Sequence, residues 1–153
     1  MRPLFASLAA LAFTISPALA DEDDIIRVQS DADVATTIDR LTGAIDNAGA
    51  TVFATVDHGG GAQSVGSDIG DSQLVIFGNP KAGTPVIEAN RLAGMMLPLQ
   101  MLVYEDRDGT VWVAYEEIGE RVGALEGIDD DNDILAPLQG ALEKLSMAAA
   151  SGG

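Results

Sequence analysis

The chain has 153 residues, with 24 Asp and Glu against 8 Lys and Arg, a formal net charge of −16, one histidine and no cysteine. That balance excludes a nucleic-acid or anionic-membrane partner, since both demand a basic footprint, and the missing cysteine excludes thiol chemistry. A length of this order makes one domain held by an apolar core and not by disulfides, and the excess carboxylate reads as surface hydration or salt adaptation ahead of a patch for a cationic partner.

Arg2, the apolar run from Leu4 to Ile15 and the small-x-small sequence Ala18-Leu19-Ala20 predict a secretory signal peptide over residues 1–20. The run falls short of the ~20 apolar residues that a spanning helix needs. Asp21-Glu22-Asp23-Asp24 follows it at once, and no later stretch is suited to crossing a membrane. The expectation is a periplasmic or secreted protein with a single domain over residues 21–153.

Ile25 to Gln29 alternates weakly and is β-branched, which predicts a first strand, after which Ser30 and Asp31 offer a cap. Val34, Ile38, Leu41 and Ile45 fall on one helical stripe that Gly49 can stop. Thr51 to Val56 predicts a strand ended by Asp57-His58-Gly59-Gly60-Gly61, since consecutive glycines disfavour regular structure. Ala62 to Asp71 reads as a loop or short helix, and Gln73 to Phe77 as a strand closed by the Gly78-Asn79-Pro80 turn. Thr84-Pro85 reads as a helix start, with the hydroxyl as cap and proline at the first helical position, and the helix runs to about Ala93. Leu99 to Glu105 and Thr110 to Glu117 pair as antiparallel strands around the Asp106-Arg107-Asp108-Gly109 turn. Gly119 to Leu125 predicts a short helix. Ile134, Leu135, Leu138, Leu142 and Leu145 predict a last one, with the acids from Asp129 to Asp133 at its positive end and Ala148 to Gly153 as a frayed tail. The order β-α-β-β-α-β-β-α makes the fold class α+β, a mainly antiparallel sheet of about four to five strands with helices on one face.

The segments Thr55-Val56-Asp57-His58, Leu74 to Pro85 (LVIFGNPKAGTP), Leu97-Pro98-Leu99, Val103 to Asp106 and Gly109 to Tyr115 resemble a bacterial and archaeal family known as domain of unknown function 302. The resemblance covers roughly residues 33–145. It implies a small α+β domain with an antiparallel sheet, allows for dimers, and brings no settled activity. The chain departs from the family pattern at Gly59-Gly60-Gly61, where the family is richer in alanine and charged residues, and this puts a helix start there in question.

His58 is the sharpest candidate for chemistry, because an imidazole titrates near neutrality and its nitrogen suits a metal or haem iron. The bland alternative is a histidine that hydrogen-bonds and orders the glycine loop. Asp57 is not its partner by adjacency, since neighbours on a strand point to opposite faces. Asn79 is a turn-former that can also bond a ligand, and Thr84 is a helix cap first. His58, Asn79, Asp57 and Thr84 make up the candidate ligand-binding set. No catalytic residue is assigned, and one histidine without cysteine assigns no metal site. Asp129, Asp131 and Asp133 open like a calcium loop, but Ile134 takes the glycine position and Gly140 the final glutamate position.

Three functions follow, of which the first leads. It is a non-enzymatic module for a small apolar or planar ligand, with a cleft near His58 and Asn79 and a haem-type ligand as its most concrete form. The second is an enzyme with His58 as general base and Asn79 polarising a carbonyl. The third is an interaction module that binds another exported protein by a sheet edge or dimer face; the homodimer belongs to the first.

Overall fold

The computed structural model describes residues 24–128 and 133–152. The expected signal peptide and the acids Asp129 and Asp131 lie outside these described residues. Five strands form one sheet: β1 (Ile25–Gln29), β2 (Thr51–Asp57), β3 (Ser72–Gly78), β4 (Leu99–Glu105) and β5 (Val111–Glu116), in the spatial order β1-β5-β4-β3-β2. Every pairing is antiparallel. The fold is the α+β class that the element order predicts, with β1 and β2 at opposite edges.

Side-chain alternation gives the sheet two unlike faces. Val75 and Phe77, Leu99, Met101 and Val103, and Val111, Val113 and Tyr115 point to one face and are buried. Helices α1 (Val34–Asn47) and α5 (Ala136–Ser151) pack against each other over that face. The predicted stripe on α1 is real: Val34, Leu41 and Ile45 are almost fully buried, and each such side chain contributes about 1.5–3 kcal/mol. Asp33, and not Ser30 or Asp31, caps this helix by accepting from the Thr36 amide at 2.8 Å. Ser30 turns inward, with its Oγ 2.7 Å from the Thr37 hydroxyl. Gly49 stops the chain with φ 69°.

Three other expectations are corrected. Residues 58–64, beginning in the glycine run, form helix α2 (His58–Ser64). Helix α3 (Pro80–Ala89) starts four residues before Thr84, because Asn79 caps it and Pro80 takes the first helical position, which leaves Pro85 inside. A 3-10 turn (Arg91–Met95) follows it, and α4 (Ile118–Gly123) realises the short helix expected there. The C-terminal residues are no frayed tail: α5 runs to Ser151, Ala149 and Ala150 are buried, and the Ala150 carbonyl accepts from the Asp31 amide at 3.0 Å.

Candidate functional site

Asp57 and His58 stand where β2 ends. Asp57 is a structural cap: its Oδ1 accepts from the Gly60 amide at 2.8 Å and so starts α2. The glycines are there for space. A Cβ on Gly59 would lie 2.8 Å from the Gly70 carbonyl oxygen and 3.2 Å from the Ser72 nitrogen, so only glycine lets the helix pass this close to the start of β3. His58 is exposed, and among the described residues it has no hydrogen-bond or ion-pair partner. It does not order the glycine segment. Among the described residues no carboxylate or tyrosine makes a hydrogen bond or ion pair with it, as orienting a general base would require.

Asn79 lies at the other end of the sheet. Thr51 pairs with Gly78 and Asp57 with Gln73, so the antiparallel register puts the end of β2 opposite the start of β3. Six residues at ~3.3 Å each place His58 and Asn79 about 20 Å apart. The single cleft expected near both does not form. Asn79 is engaged at both ends of its amide: its Oδ1 accepts from the Lys81 amide and its Nδ2 donates to the Gly49 carbonyl, both at 3.0 Å, which leaves one N–H and one lone pair free. It is the turn-former of the bland reading. Thr84 is exposed on α3 and caps nothing.

What the structure does assemble is a cavity of about 280 Å³ beside Asn79 and Thr84. Gly78, Pro80, Gly83 and Ile87 line one side of it, Leu97, Pro98 and Leu99 another, and Leu138 of α5 and Phe53 complete it. Phe53 gets there through a register shift of β2 between Val52 and Ala54, which makes it the extra residue of a bulge. Its ring lies against Gly78, where an added Cβ would meet Phe53 Cε2 at 3.1 Å and Pro98 Cβ at 3.4 Å. Phe53 is still 58% exposed, so it is a wall with a free outer side. Among the described residues no charged one lines the cavity, and the α3 amides behind it are taken: Ala82 and Gly83 both donate to the Asn79 carbonyl at 3.0 Å. The arrangement offers apolar contact and the Thr84 hydroxyl, and nothing for an anion.

Of these residues, Gly78-Asn79-Pro80 and Leu97-Pro98-Leu99 carry a sequence signal, because they are motif segments. Phe53, Ile87 and Leu138 carry none that distinguishes them from core or surface. A larger groove of about 410 Å³ between β1 and α5 includes Glu117 and Glu143 near Tyr115. Burial pushes the Tyr115 phenol above its usual range, and Glu143 and Glu117 add to the rise against the Ser146 hydrogen bond. Asp106 is held below the usual carboxylate range, first by the Trp112 indole N–H, which donates at 2.8 Å, and then by the Thr110 amide. Asp33 is lowered by its cap bonds to Thr36. The Asp106 and Asp33 shifts come from structural hydrogen bonds and the Tyr115 shift from burial, and none of the three groups lines the cavity. The described residues contain no cluster of three His, Cys, Asp or Glu placed to hold a metal ion.

Comparison with known proteins agrees with the fold and adds a context. A solved structure, an uncharacterized conserved DUF302 protein from Bacillus stearothermophilus, superposes with a TM-score of 0.74 at 21% identity, over 82% of this chain and 98% of that one. Among curated proteins, "Fluoride-specific ion channel FluC 1" of Brucella suis biovar 1 (strain 1330) is 36% identical over 96 residues, which are 63% of this chain and 38% of that protein. The same-named protein of Brucella abortus biovar 1 (strain 9-941) is 36% identical over 96 residues, 63% of this chain and 36% of its own length. The chain thus spans little more than a third of these relatives. No described helix is long and apolar enough to cross a membrane. Residues 26–147 match the family described as "Domain of unknown function DUF302", a span that takes in β1 as well as the motif segments, and the chain belongs to that family.

Proposed function

We propose that the domain is a non-enzymatic, exported binding module that holds a small, neutral, apolar molecule in the cavity between Phe53, α3 and Leu97-Pro98-Leu99. The observation that carries this reading is the apolar lining itself, built from two motif segments and closed by a half-exposed aromatic ring. Ligand pockets are commonly ~300–1,000 Å³, so a cavity of about 280 Å³ suits a compact ligand. The haem-type version is set aside: His58 does not line this cavity and stands about 16 Å along the strand from Phe53, the lining residue nearest to it in β2. An acid–base role for His58 is set aside with it, for want of a partner.

The test is a fluorescence titration of the purified protein with N-phenyl-1-naphthylamine, an uncharged apolar probe. A saturable enhancement is expected at one probe per chain. Gly83→Leu should abolish it by filling the cavity, since even a Cβ at Gly83 already meets Leu97 Cδ1 at 3.5 Å, and leucine raises helix propensity there. A wild-type protein that gives no enhancement, or a folded Gly83→Leu protein that binds as before, refutes the reading.

A second reading, an interaction module, is favoured by the curated relatives. The shared segment is a minor part of proteins named as fluoride-specific channels, so the domain would accompany a membrane channel and not form it. Retention of a channel by the immobilised domain, from a detergent extract of its own host, is the supporting outcome. Retention of no membrane protein counts against it.

A further inference from the structure

The groove of about 410 Å³ between β1 and α5 is independent of the cavity beside Asn79. Its floor follows from the register: Tyr115 pairs with Ile26, and Ile26 and Val28, two residues apart on the edge strand, point to the same face as Tyr115. Its wall is one stripe of α5, on which Gln139, Leu142, Glu143 and Ser146 recur at helical steps. Edge strand and helix do not close over it. Ile26 is 39% and Met147 51% exposed at its rims, whereas Tyr115 beneath them is 8% exposed. Gly140 opens the groove further. It lies inside α5, where glycine is disfavoured, yet it is half-buried and a Cβ added there would meet nothing within 4 Å. No packing contact among the described residues requires glycine at this position, and room in the groove does.

We infer that this groove binds a small organic cation, an ammonium group carried on a compact apolar body. Charge selects the occupant. Among the described residues Glu117 and Glu143 are the only charged ones that line the groove, and neither is ion-paired. Both lie close enough to the Tyr115 phenol to act on it, so they stand around one part of the groove. Glu117 is fixed in place: its Oε2 accepts from the Glu120 amide at 3.1 Å and its Oε1 from Gln139 Nε2 at 3.4 Å. Each oxygen keeps a further lone pair for a ligand. The Glu143 side chain has no hydrogen-bond or ion-pair partner among the described residues. Arg121 is taken by Glu116, and Lys144 does not line the groove. A metal ion would need a third acidic or histidine ligand, which the described residues do not place there. An anion is repelled, and a neutral apolar molecule would cover carboxylates without pairing them. An ammonium on an apolar body satisfies both the floor and the charge.

Size agrees. About 410 Å³ lies within the ~300–1,000 Å³ of small-ligand sites. Contact with Ile26, Val28, Tyr115 and Leu142 supplies the affinity, because ion pairs at this degree of exposure add little, up to about fivefold each. The two carboxylates supply the selectivity. A lysine of another protein carries the same ammonium, but on a thin alkyl stem that leaves most of such a groove unfilled. A free, compact amine is the better occupant.

A protein-observed NMR titration with phenethylammonium tests this, on the protein purified from expression of the full chain. NaCl at about 150 mM screens non-specific attraction to a chain of net −16. Phenethyl alcohol and hydrocinnamate serve as the neutral and anionic counterparts of the probe. Saturable shifts centred on Ile26, Gly140 and Glu143 are expected with the ammonium, binding about tenfold weaker with the alcohol, and none with the carboxylate. Glu143→Gln should weaken the ammonium by about fourfold, and Glu117→Gln with Glu143→Gln should remove its advantage over the alcohol. Gly140→Leu should abolish binding of both by filling the groove. Ile26→Lys, at a half-open edge position, carries the same test if Gly140→Leu does not fold by circular dichroism. Asp108→Asn, which removes an exposed negative charge from the hairpin turn, should bind like the wild type. Nα-acetyl-lysine methylamide, a lysine as a protein presents it, should bind more weakly than the probe. Five results overturn the inference: no saturable shift in the wild type, equal binding of ammonium and alcohol, an advantage that survives the double substitution, binding retained by a folded groove-filling variant, or a loss with Asp108→Asn as large as that with Glu143→Gln. Tighter binding of the lysine compound overturns it as well, and assigns the groove to a protein partner.

Discussion

Replacing the glycines of α2 by alanine, one at a time, should give three different outcomes at adjacent positions. At Gly61 an added Cβ meets nothing within 4 Å. Only helix propensity changes there, and Gly61→Ala should stabilise the protein by about 0.5–1 kcal/mol. At Gly60 the Cβ would fall 2.4 Å from Asp57 Oδ2. That carboxylate can rotate away, but at the expense of the cap, about 1 kcal/mol. Propensity returns a similar amount, so Gly60→Ala should lie within about 0.5 kcal/mol of the wild type. At Gly59 the obstacle is backbone, the Gly70 carbonyl oxygen at 2.8 Å and the Ser72 nitrogen at 3.2 Å. Neither can move without displacing the start of β3. Overpacking of this kind costs about 1–3 kcal/mol, which the propensity gain reduces to a net loss of about 0.5–2 kcal/mol. Urea unfolding followed by Trp112 emission reads all three, with m-values expected to be unchanged. Thermal midpoints should move by about 2–4 °C per kcal/mol in a chain of this size. A common sign for all three, or a destabilised Gly61→Ala, would show that α2 is not a helix held against β3 by glycine contacts.

Asn79→Ala removes the α3 cap and the bond to the Gly49 carbonyl together, so it should lower stability by about 1–2 kcal/mol; unchanged urea stability would return Asn79 to the list of ligand-binding candidates. Because the Asp106 carboxyl is depressed in the folded state, its contribution is complete above about pH 4, the unfolded carboxylate value, and is lost as pH falls through the lower folded value. Asp106→Asn should therefore flatten the acid limb of a stability–pH profile while Trp112 still reports folding, and an unaltered limb refutes the assignment. If residues 1–20 are a signal peptide, the intact mass of protein recovered from an exporting host corresponds to a chain that starts at Asp21, and a mass retaining Met1 to Ala20 contradicts export with cleavage.

Local signals were legible wherever the determinant lies within a few residues. The α1 stripe and the Asp106–Gly109 hairpin depend on spacing or on a few residues of one turn. The start of α3 was misread because two Pro-containing signals, Asn79-Pro80 and Thr84-Pro85, compete. Asn79 also bonds Gly49, thirty residues away, which tips the choice. The glycine run misled for a related reason: glycine opposes helix by propensity, but at Gly59 it is required by a backbone that arrives from beyond the turn.

By itself the sequence determined the class of fold, the Asp106–Gly109 turn, the absence of thiol chemistry and the family motifs, since these follow from composition and short-range pattern. Only the tertiary structure decided which residues meet. The pairing of β2 with β3, and its antiparallel direction, separated His58 from Asn79 although the motifs invite joining them. The same folding brought Phe53, Gly83, Leu97 and Leu138 around one cavity, and, among the described residues, left one sheet face without a helix. Strand partner and direction are set by contacts between distant parts of the chain, where many pairings satisfy the same local preferences and only the packing of the whole core separates them.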